Sequence, residues 1–393
     1  MKRIAIYLFS SLSLICSAAL PASGATVSET LAEIERNSLT LRATAASNEA
    51  TELELRADNT LPPLSVEYSP FFRSGVSGVA SSEMVVSQEF DFPTLYGVRN
   101  RQASAERAAL DGAAAAERRA FRQDARSRLL TLLLLREERE ILDMRIADAE
   151  ALLALYEKSL ENGKSTILEV NKVKLELQEL RRELLQNSAD LQAQADALQG
   201  LNGGQPIDLS DLEHDSPASR LGEASADAAA LLAADPAVRA AETEAEAARQ
   251  GVSVARAGWL PSITLGYRRN TEERESANGL LAGISLPLYG TSSKIRAAKA
   301  RLTASQLALE AAEAEAEARI AADMRQLQLQ WATLATYDLS LMRETLSLYR
   351  RSLDAGQITL TAYYAETSAL YDRLAERARL EDALRQTLCR LRP

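Results

Sequence analysis

The chain repeats itself at a distance of 193 residues. Residues 156–177 read YEKSLENGKSTILEVNKVKLEL, and residues 349–370 read YRRSLDAGQITLTAYYAETSAL. Tyr156 and Tyr349, Gly163 and Gly356, and Gly97 and Gly290 all keep that spacing. A period of this length lies far beyond the roughly 20–50 residues of a solenoid unit, so half a protein has been copied. The fold must therefore be written twice, as a first unit over 26–200 and a second over 234–393, with 201–233 as the linker.

Each unit runs through the same patterns. Residues 26–59 are helical in character and stop at Pro62-Pro63, because proline cannot continue a helix. The period then changes to two. Leu64, Val66, Tyr68 and Phe72 share one side; Ser65, Glu67 and Ser69 share the other. After a Gly- and Ser-rich connection, Met84, Val86, Phe90 and Phe92 alternate with Ser87, Glu89 and Asp91. This predicts a β-hairpin over about 62–92 with one apolar and one polar face. Each strand has about the length of a tilted strand crossing a bilayer. From Arg99 to residue 161 there is no proline, which predicts a helix of roughly 90 Å, longer than a compact domain is wide. Asn162-Gly163 supplies a left-handed reversal. Thr166 and Glu169 fit a capping box that opens the returning helix.

In the second unit Asp235-Pro236 reads as N-cap and first helical position. A hairpin over about 261–288 follows, with Ile263, Leu265 and Tyr267 and then Leu280, Ala282, Ile284, Leu286 and Leu288 on its apolar face. One long helix is expected over 293–353, then a reversal at Gly356 and a return from Thr359.

Composition excludes several functions. Apolar residues make up 46% of the chain but aromatics only 5%, which suits Ala- and Leu-rich helical seams better than a broad core. A net charge of −10 argues against nucleic acid as a partner. Residues 1–25 read as a secretory signal, with Lys2-Arg3, an apolar stretch and small residues at 22–25. Lipidation at Cys16 is the alternative, although Ile15 stands where such signals carry a small residue. Cys389 and His214 are then the only thiol and imidazole, too few for a zinc site, and His214 reads as a solvated linker residue. No stretch approaches a spanning helix; 129–135 reads as a buried helical segment. There is no phosphate loop, no nucleophile elbow and no paired histidine, so neither an enzyme nor a cofactor is expected. The acidic runs at 242–246 and 313–317 fit solvated helix faces or a negative tunnel wall.

The Leu-Pro steps at 61–62 and 260–261, QEFDFP at 88–93 followed by Arg99 and Arg101, SLPLYG at 285–290 and the two Gly-x-x-Thr reversals carry a resemblance. Together they resemble the TolC family of outer-membrane efflux channels, over essentially the whole chain after the signal. GKSTILEV at 163–170 is similar to the CzcC-type subgroup, linked to heavy-metal export. The resemblance implies a mainly α protein with two β-hairpins: an elongated, duplicated α-helical barrel protomer. Each protomer would give four strands to a trimeric outer-membrane β-barrel, with a helical tunnel in the periplasm of a Gram-negative bacterium. It implies a passive channel of a tripartite efflux system, a homotrimer seated in outer-membrane lipid. Its partners would be a periplasmic adaptor (membrane fusion) protein and an inner-membrane pump, with metal cations as cargo.

The resemblance also places Gly163, Lys164, Ser165, Thr166, Gly356, Gln357, Ile358 and Thr359 at an adaptor-docking tip, and makes Glu169 and Glu366 the gate candidates. Ala362 and Ala365 stand where the family often carries Asp. Read from the residues alone, the two glycines are first backbone devices and Glu169 is first a capping carboxylate. Glu67, Glu89 and Asp91 would line a pore if a barrel forms. Tyr68, Tyr267 and Tyr289 fit either an interfacial girdle or packing within the hairpins. The rival reading is a periplasmic coiled-coil adaptor or scaffold that never enters a membrane.

Overall fold

The computed structural model describes residues 26–74, 78–214, 227–272, 275–287 and 289–391. The signal segment with Cys16, and Leu288, lie outside the described residues. Helices α1 (Val27–Asn37) and α2 (Leu39–Ala57) lead into strands β1 (Ser65–Phe71) and β2 (Ser81–Phe90), and α3 (Pro93–Glu161) and α4 (Ile167–Leu201) complete the first unit. In the second, α5 (Ala228–Ala234) and α6 (Pro236–Ala257) lead into β3 (Ser262–Glu272) and β4 (Glu275–Ser285). Helices α7 (Thr291–Leu334), α8 (Leu339–Asp354) and α9 (Leu360–Leu391) follow.

The two hairpins join in one antiparallel sheet of order β1-β2-β3-β4. Paired residues fall in rows, such as Val66–Val86–Tyr267–Leu280, and directly paired residues share a face. The even positions of β1, β2 and β4 and the odd positions of β3 form one face. It carries Val66, Tyr68, Met84, Val86, Phe90, Ile263, Leu265, Tyr267, Leu280 and Ile284. The opposite face carries Ser65, Glu67, Glu83, Ser87, Glu89, Thr264 and Arg268. The mainly helical class with two hairpins is the one the sequence predicts.

Below the sheet, α3 runs unbroken for 69 residues, about 104 Å at 1.5 Å per residue. It begins at Pro93 rather than near Arg99, because proline at the first helical position needs no hydrogen-bond partner for its nitrogen and already has helical φ. Three other expectations need correction. The helix over 26–59 is two helices: the Ser38 backbone turns out of helical geometry and its hydroxyl accepts from the Leu41 amide at 3.3 Å. The second long helix is also two, broken at 335–338, where Asp338 accepts from the Leu341 amide at 3.0 Å and starts α8. The matching position in the first unit is Arg145, which cannot cap, and α3 runs straight through it. Within the stretch read as linker, 202–214 is a strap. Ile207, Leu209 and Leu212 pack into the core, and Arg136 donates to the Leu209 and Ser210 carbonyls. Residues 215–226 lie outside the described residues.

The largest buried cluster sits halfway along α3. Val27, Leu31 and Ile34 of α1 meet Ala125, Leu129, Leu132 and Leu133 of α3, Leu198 of α4 and Leu212 of the strap. The 129–135 stretch is thus buried as expected. Elsewhere the helices meet along narrow seams. Where α3 crosses α6, Gly112 is so close that a β-carbon there would stand 2.7 Å from Thr243 Oγ1 and 3.2 Å from Ala240 Cα. Gly112→Leu is therefore expected to force α3 and α6 apart and cost about 2 kcal/mol or more, since overpacking a tight seam costs ~1–3 kcal/mol. Thermal unfolding of the detergent-solubilised protein would show this as a lowered Tm, whereas Gly97→Leu, which would meet nothing within 4 Å, should leave Tm nearly unchanged.

Candidate functional site

Among the described residues nothing covers the apolar sheet face. Leu280 is 93% exposed and Ile284 74% exposed. Gln88, a long polar side chain in the lower half of that face, turns its amide nitrogen to the backbone. Its amide donates to the Pro62 carbonyl at 2.6 Å and the Glu89 carbonyl at 3.0 Å. Toward the β3–β4 turn the face becomes polar, with Arg269, Thr271, Ser276 and Asn278. Tyr267 marks that change, its hydroxyl 2.6 Å from Asn278 Oδ1. Tyr68, in the row of Met84, Arg269 and Asn278, stands one row nearer that turn on the same face. Tyr289 lies at the other end, after β4, and is fully open at 92% exposure. On the polar face Ser262 donates to Glu89 at 2.5 Å, and Arg268 pairs with Glu83.

The polar face leads downward into a hollow of about 1000 Å³ between α2, α3, α6 and α7. Arg99 lines it and pairs at 2.6 Å with Asp91, which continues the polar parity of β2. Gln102, Glu106, Ala109 and Ala113 extend the same flank of α3 downward.

At the opposite end of the helices the two reversals adopt one geometry. Gly163 and Gly356 both have φ +69°, the left-handed region that favours glycine. The Lys164 amide donates to Ser159 O and the Gln357 amide to Ser352 O, each at 2.8 Å. Gly163 and Gly356 donate to Leu160 O and Leu353 O, each at 2.9 Å. These are the paired bonds of a Schellman ending. Thr166 and Glu169 close the expected capping box, and Thr359 accepts from the Ala362 amide at 3.2 Å. Lys164, Thr166, Gln357 and Thr359 are exposed, while Ser165 and Ile358 are half-buried.

One cluster holds the two tips side by side. Leu152 and Val173 from the first unit pack with Leu353, Leu360 and Tyr363 from the second.

Glu169 and Glu366 sit differently. Glu169 Oε2 accepts from the Thr166 amide at 2.8 Å, Ser165 Oγ at 2.9 Å and Thr166 Oγ1 at 3.0 Å. The backbone bond from Thr166, then the two hydroxyls, holds this carboxyl below its ordinary pKa. Glu366 is exposed and meets the Tyr349 hydroxyl at 3.4 Å. Tyr156, the repeat partner of Tyr349, is pushed up by burial and by the charge of Glu169.

Sequence reasoning missed the node that ties the units together above these tips. Asp148 of α3 accepts from Arg350 of α8 at 2.6 Å and from the Tyr363 hydroxyl of α9. Burial first, then Asp148, raises the Tyr363 phenol pKa. Next to it Arg145 pairs with Glu176 at 3.4 Å and lies 5.6 Å over the Tyr371 ring, whose phenol is pushed up to about 12, mainly by burial. Apart from Arg145–Glu176, these contacts join residues 200 or more positions apart, and no local pattern marks them.

His214 is half-buried and partnered rather than a free linker residue. Its Nε2 lies 2.6 Å from Arg385 Nη1 of α9, and Glu137 of α3 is 3.7 Å away. A guanidinium only donates, so Nε2 is placed to accept from Arg385. The strap carries it there. In the same cluster Asp382 is buried, and that burial lifts its carboxyl to about 6, even though Gln386 donates to it at 2.6 Å. Among the described residues no group of His, Cys, Asp and Glu could hold a metal ion, and no helix is long and apolar enough to cross a membrane.

These features define an elongated helical protein that ends in a one-sided, four-stranded ribbon. Comparison with solved structures places the fold among outer-membrane channels. CusC superposes with a TM-score of 0.75 at 18% identity, over 93% of this chain and 90% of that one. VceC from Vibrio cholerae gives 0.72 at 18%, over 93% of both chains. The CmeC channel of Campylobacter jejuni gives 0.76 at 14%, over 92% and 84%. Residues 228–393, within the second unit, match the model of the family described as Outer membrane efflux protein. No curated protein matches the sequence.

Two outcomes follow from the charged groups. Tyr363→Phe and Asp148→Ala each remove the same bond. Each is expected to destabilise, and the double variant should cost clearly less than the sum of the two, because the partners share one interaction. Tm of the three variants measures this. Asp382 has the opposite sign from a paired carboxylate. Its folded pKa, about 6, lies above the ordinary 3.8, so the folded state holds the proton longer than the unfolded state. Its contribution is most favourable below the ordinary value and is lost as pH rises toward about 6. Asp382→Asn is expected to raise Tm at pH 7.5 and to leave it nearly unchanged at pH 3.5.

Proposed function

We propose that the protein is a passive outer-membrane channel of a tripartite efflux system, working as a homotrimer. The observation that carries this reading is the sheet: one uncovered apolar face, one polar face, and free edges at β1 and β4. Bilayer lipid accepts such a sheet only if every edge is closed. Strands β1 and β4 run antiparallel to each other, so β4 of one copy can pair with β1 of the next and continue the alternation. Three copies give twelve strands, enough to enclose a pore lined by Glu67, Glu83, Glu89 and Arg268. The CusC structure is described in terms of transmembrane channel formation and the CmeC structure as an outer membrane channel, which supports the same role here.

In this reading the helices form a tunnel in the periplasm and the two reversals its inner tip. Gly163 to Thr166 and Gly356 to Thr359 dock a periplasmic adaptor, which links the channel to an inner-membrane pump. The exposed Ile167 and Leu168 beside the first reversal add apolar surface for that contact. Glu366, held only by a long bond to Tyr349, is the freer of the two gate carboxylates; Glu169 is occupied by its cap. The likeness of 163–170 to the CzcC-type subgroup makes metal cations the first cargo to test. A periplasmic scaffold would have no use for a bilayer-length ribbon with a bare apolar face, so that rival is not favoured.

Extraction and mass decide the matter. The protein is expected in the outer-membrane fraction, soluble only with detergent, with a protein mass three times that of one chain and a conductance in planar bilayers. A freely soluble monomer that stays in the periplasmic fraction would refute the reading.

A further inference from the structure

Alternation sorts the charges of the ribbon by face. Every carboxylate within the four strands, from Glu67, Glu83 and Glu89 to Glu272 and Glu275, lies on the polar face. Along the same strands the apolar face carries a single charged side chain, Arg269. We propose that Arg269 and Asn278 bind the phosphate head group of a lipid in the outer leaflet, whose acyl chains lie against Leu280 and Ile284. The proposal rests on the channel reading, in which this face meets lipid and the β3–β4 turn lies outermost.

Arg268 and Arg269 are neighbours with opposite surroundings. Arg268 belongs to the polar face and pairs with Glu83. Arg269 is exposed, and among the described residues it has no hydrogen-bond or ion-pair partner. No carboxylate of the strands shares its face, so the sheet supplies no counter-charge. Arg269 is paired directly with Asn278 across β3 and β4. Side chains so paired leave the backbone about 5 Å apart, close enough for both to reach one oxyanion. The Asn278 oxygen is already occupied, because the Tyr267 hydroxyl donates to it at 2.6 Å. Its amide nitrogen remains to donate, and among the described residues nothing accepts from it. A guanidinium fork beside an amide N–H offers donors only, which is what an oxyanion requires. Thr271 and Ser276, paired in the next row toward the turn, add two hydroxyls.

Position selects the other half of the ligand. Arg269 sits one row, roughly 7 Å along the strand, beyond Tyr267 and Leu280. The apolar rows behind it run on to Ile284, which is itself exposed. A free anion would use the donors and leave those rows bare, whereas a phosphate that carries acyl chains covers both. This is also the level at which a barrel tolerates a cation on its lipid side, since the cost falls from the midplane to the interface. Phosphate suits the site better than carboxylate, because its oxygens point in several directions, toward Arg269 and Asn278 and toward the two hydroxyls. The chain carries a net charge of −10 and repels anions in general, so a preference for an anionic lipid needs a local cation.

Native mass spectrometry of the detergent-solubilised full chain, titrated with lipid, tests the proposal. The probes are dioleoyl phosphatidic acid, dioleoylglycerol (the same chains without phosphate) and glycerol phosphate (the head without chains). Phosphatidic acid is expected to bind at least fivefold more tightly than dioleoylglycerol. Arg269→Gln should erase that preference, and Asn278→Ala should at least halve it. Arg268→Gln, one residue away on the opposite face, should leave it unchanged. If Arg269→Gln fails to assemble, the wild-type ratio and Asn278→Ala still decide. Equal binding of the two lipids overturns the proposal. So does a preference that survives in Arg269→Gln or falls equally in Arg268→Gln. Glycerol phosphate competing as well as phosphatidic acid overturns the lipid assignment, by showing a site for a free anion. A detergent-requiring trimer with any of these negative results leaves the channel reading standing, whereas a soluble monomer that retains neither lipid refutes both.

Discussion

The structure depends on a sheet that cannot exist in water as one chain builds it. Rows such as Val66–Val86–Tyr267–Leu280 place apolar side chains on one side of a four-stranded ribbon, and among the described residues nothing covers them. At about 25 cal/mol per Å² of apolar surface, leaving such a face in water would cost many kcal/mol, against a typical net stability of only 5–15 kcal/mol for a whole domain. The free edges at β1 and β4 add unpaired backbone groups. In the channel proposed above, lipid on one side and sister strands at both edges would resolve both problems together. A sheet closed by three copies would then fix three copies of the helical layer beneath it, with the length of α3 setting how far that layer reaches.

The helical part is held by few strong points on long weak seams. Ala- and Gly-rich contacts between α3 and α6 bring the helices close but bury little area. One apolar cluster at mid-height ties α1, α3, α4 and the 202–214 strap. A second, with the Asp148–Arg350–Tyr363 node, ties the two units near their tips. Between these points the side chains are mostly half-exposed.

Much of this was legible in the sequence because it is local. The reversals need glycine at φ +69°, the capping box needs Thr and Glu three apart, and the ribbon needs strict alternation; each rule acts within a few residues. The faces assigned to Val66, Met84, Ile263 and Leu280 from parity alone are the faces the sheet shows. The failures have two causes. Ser38 and Asp338 break helices by capping, a signal present in the sequence but outvoted by the helical periodicity around it. The strap, His214 against Arg385 and the Asp148 node depend on partners scores of residues away. For these, polarity alone suggested solvent where the fold supplies a partner.

The central claim is that the two faces of the ribbon meet different media. Spin labels at Leu280→Cys and Leu281→Cys, adjacent on β4 but on opposite faces, test it most directly in liposome-reconstituted protein. The account predicts that a label at 280 collides with oxygen dissolved in lipid and is shielded from a water-soluble nickel reagent, and that a label at 281 shows the reverse. Equal access of the nickel reagent to both positions would contradict it.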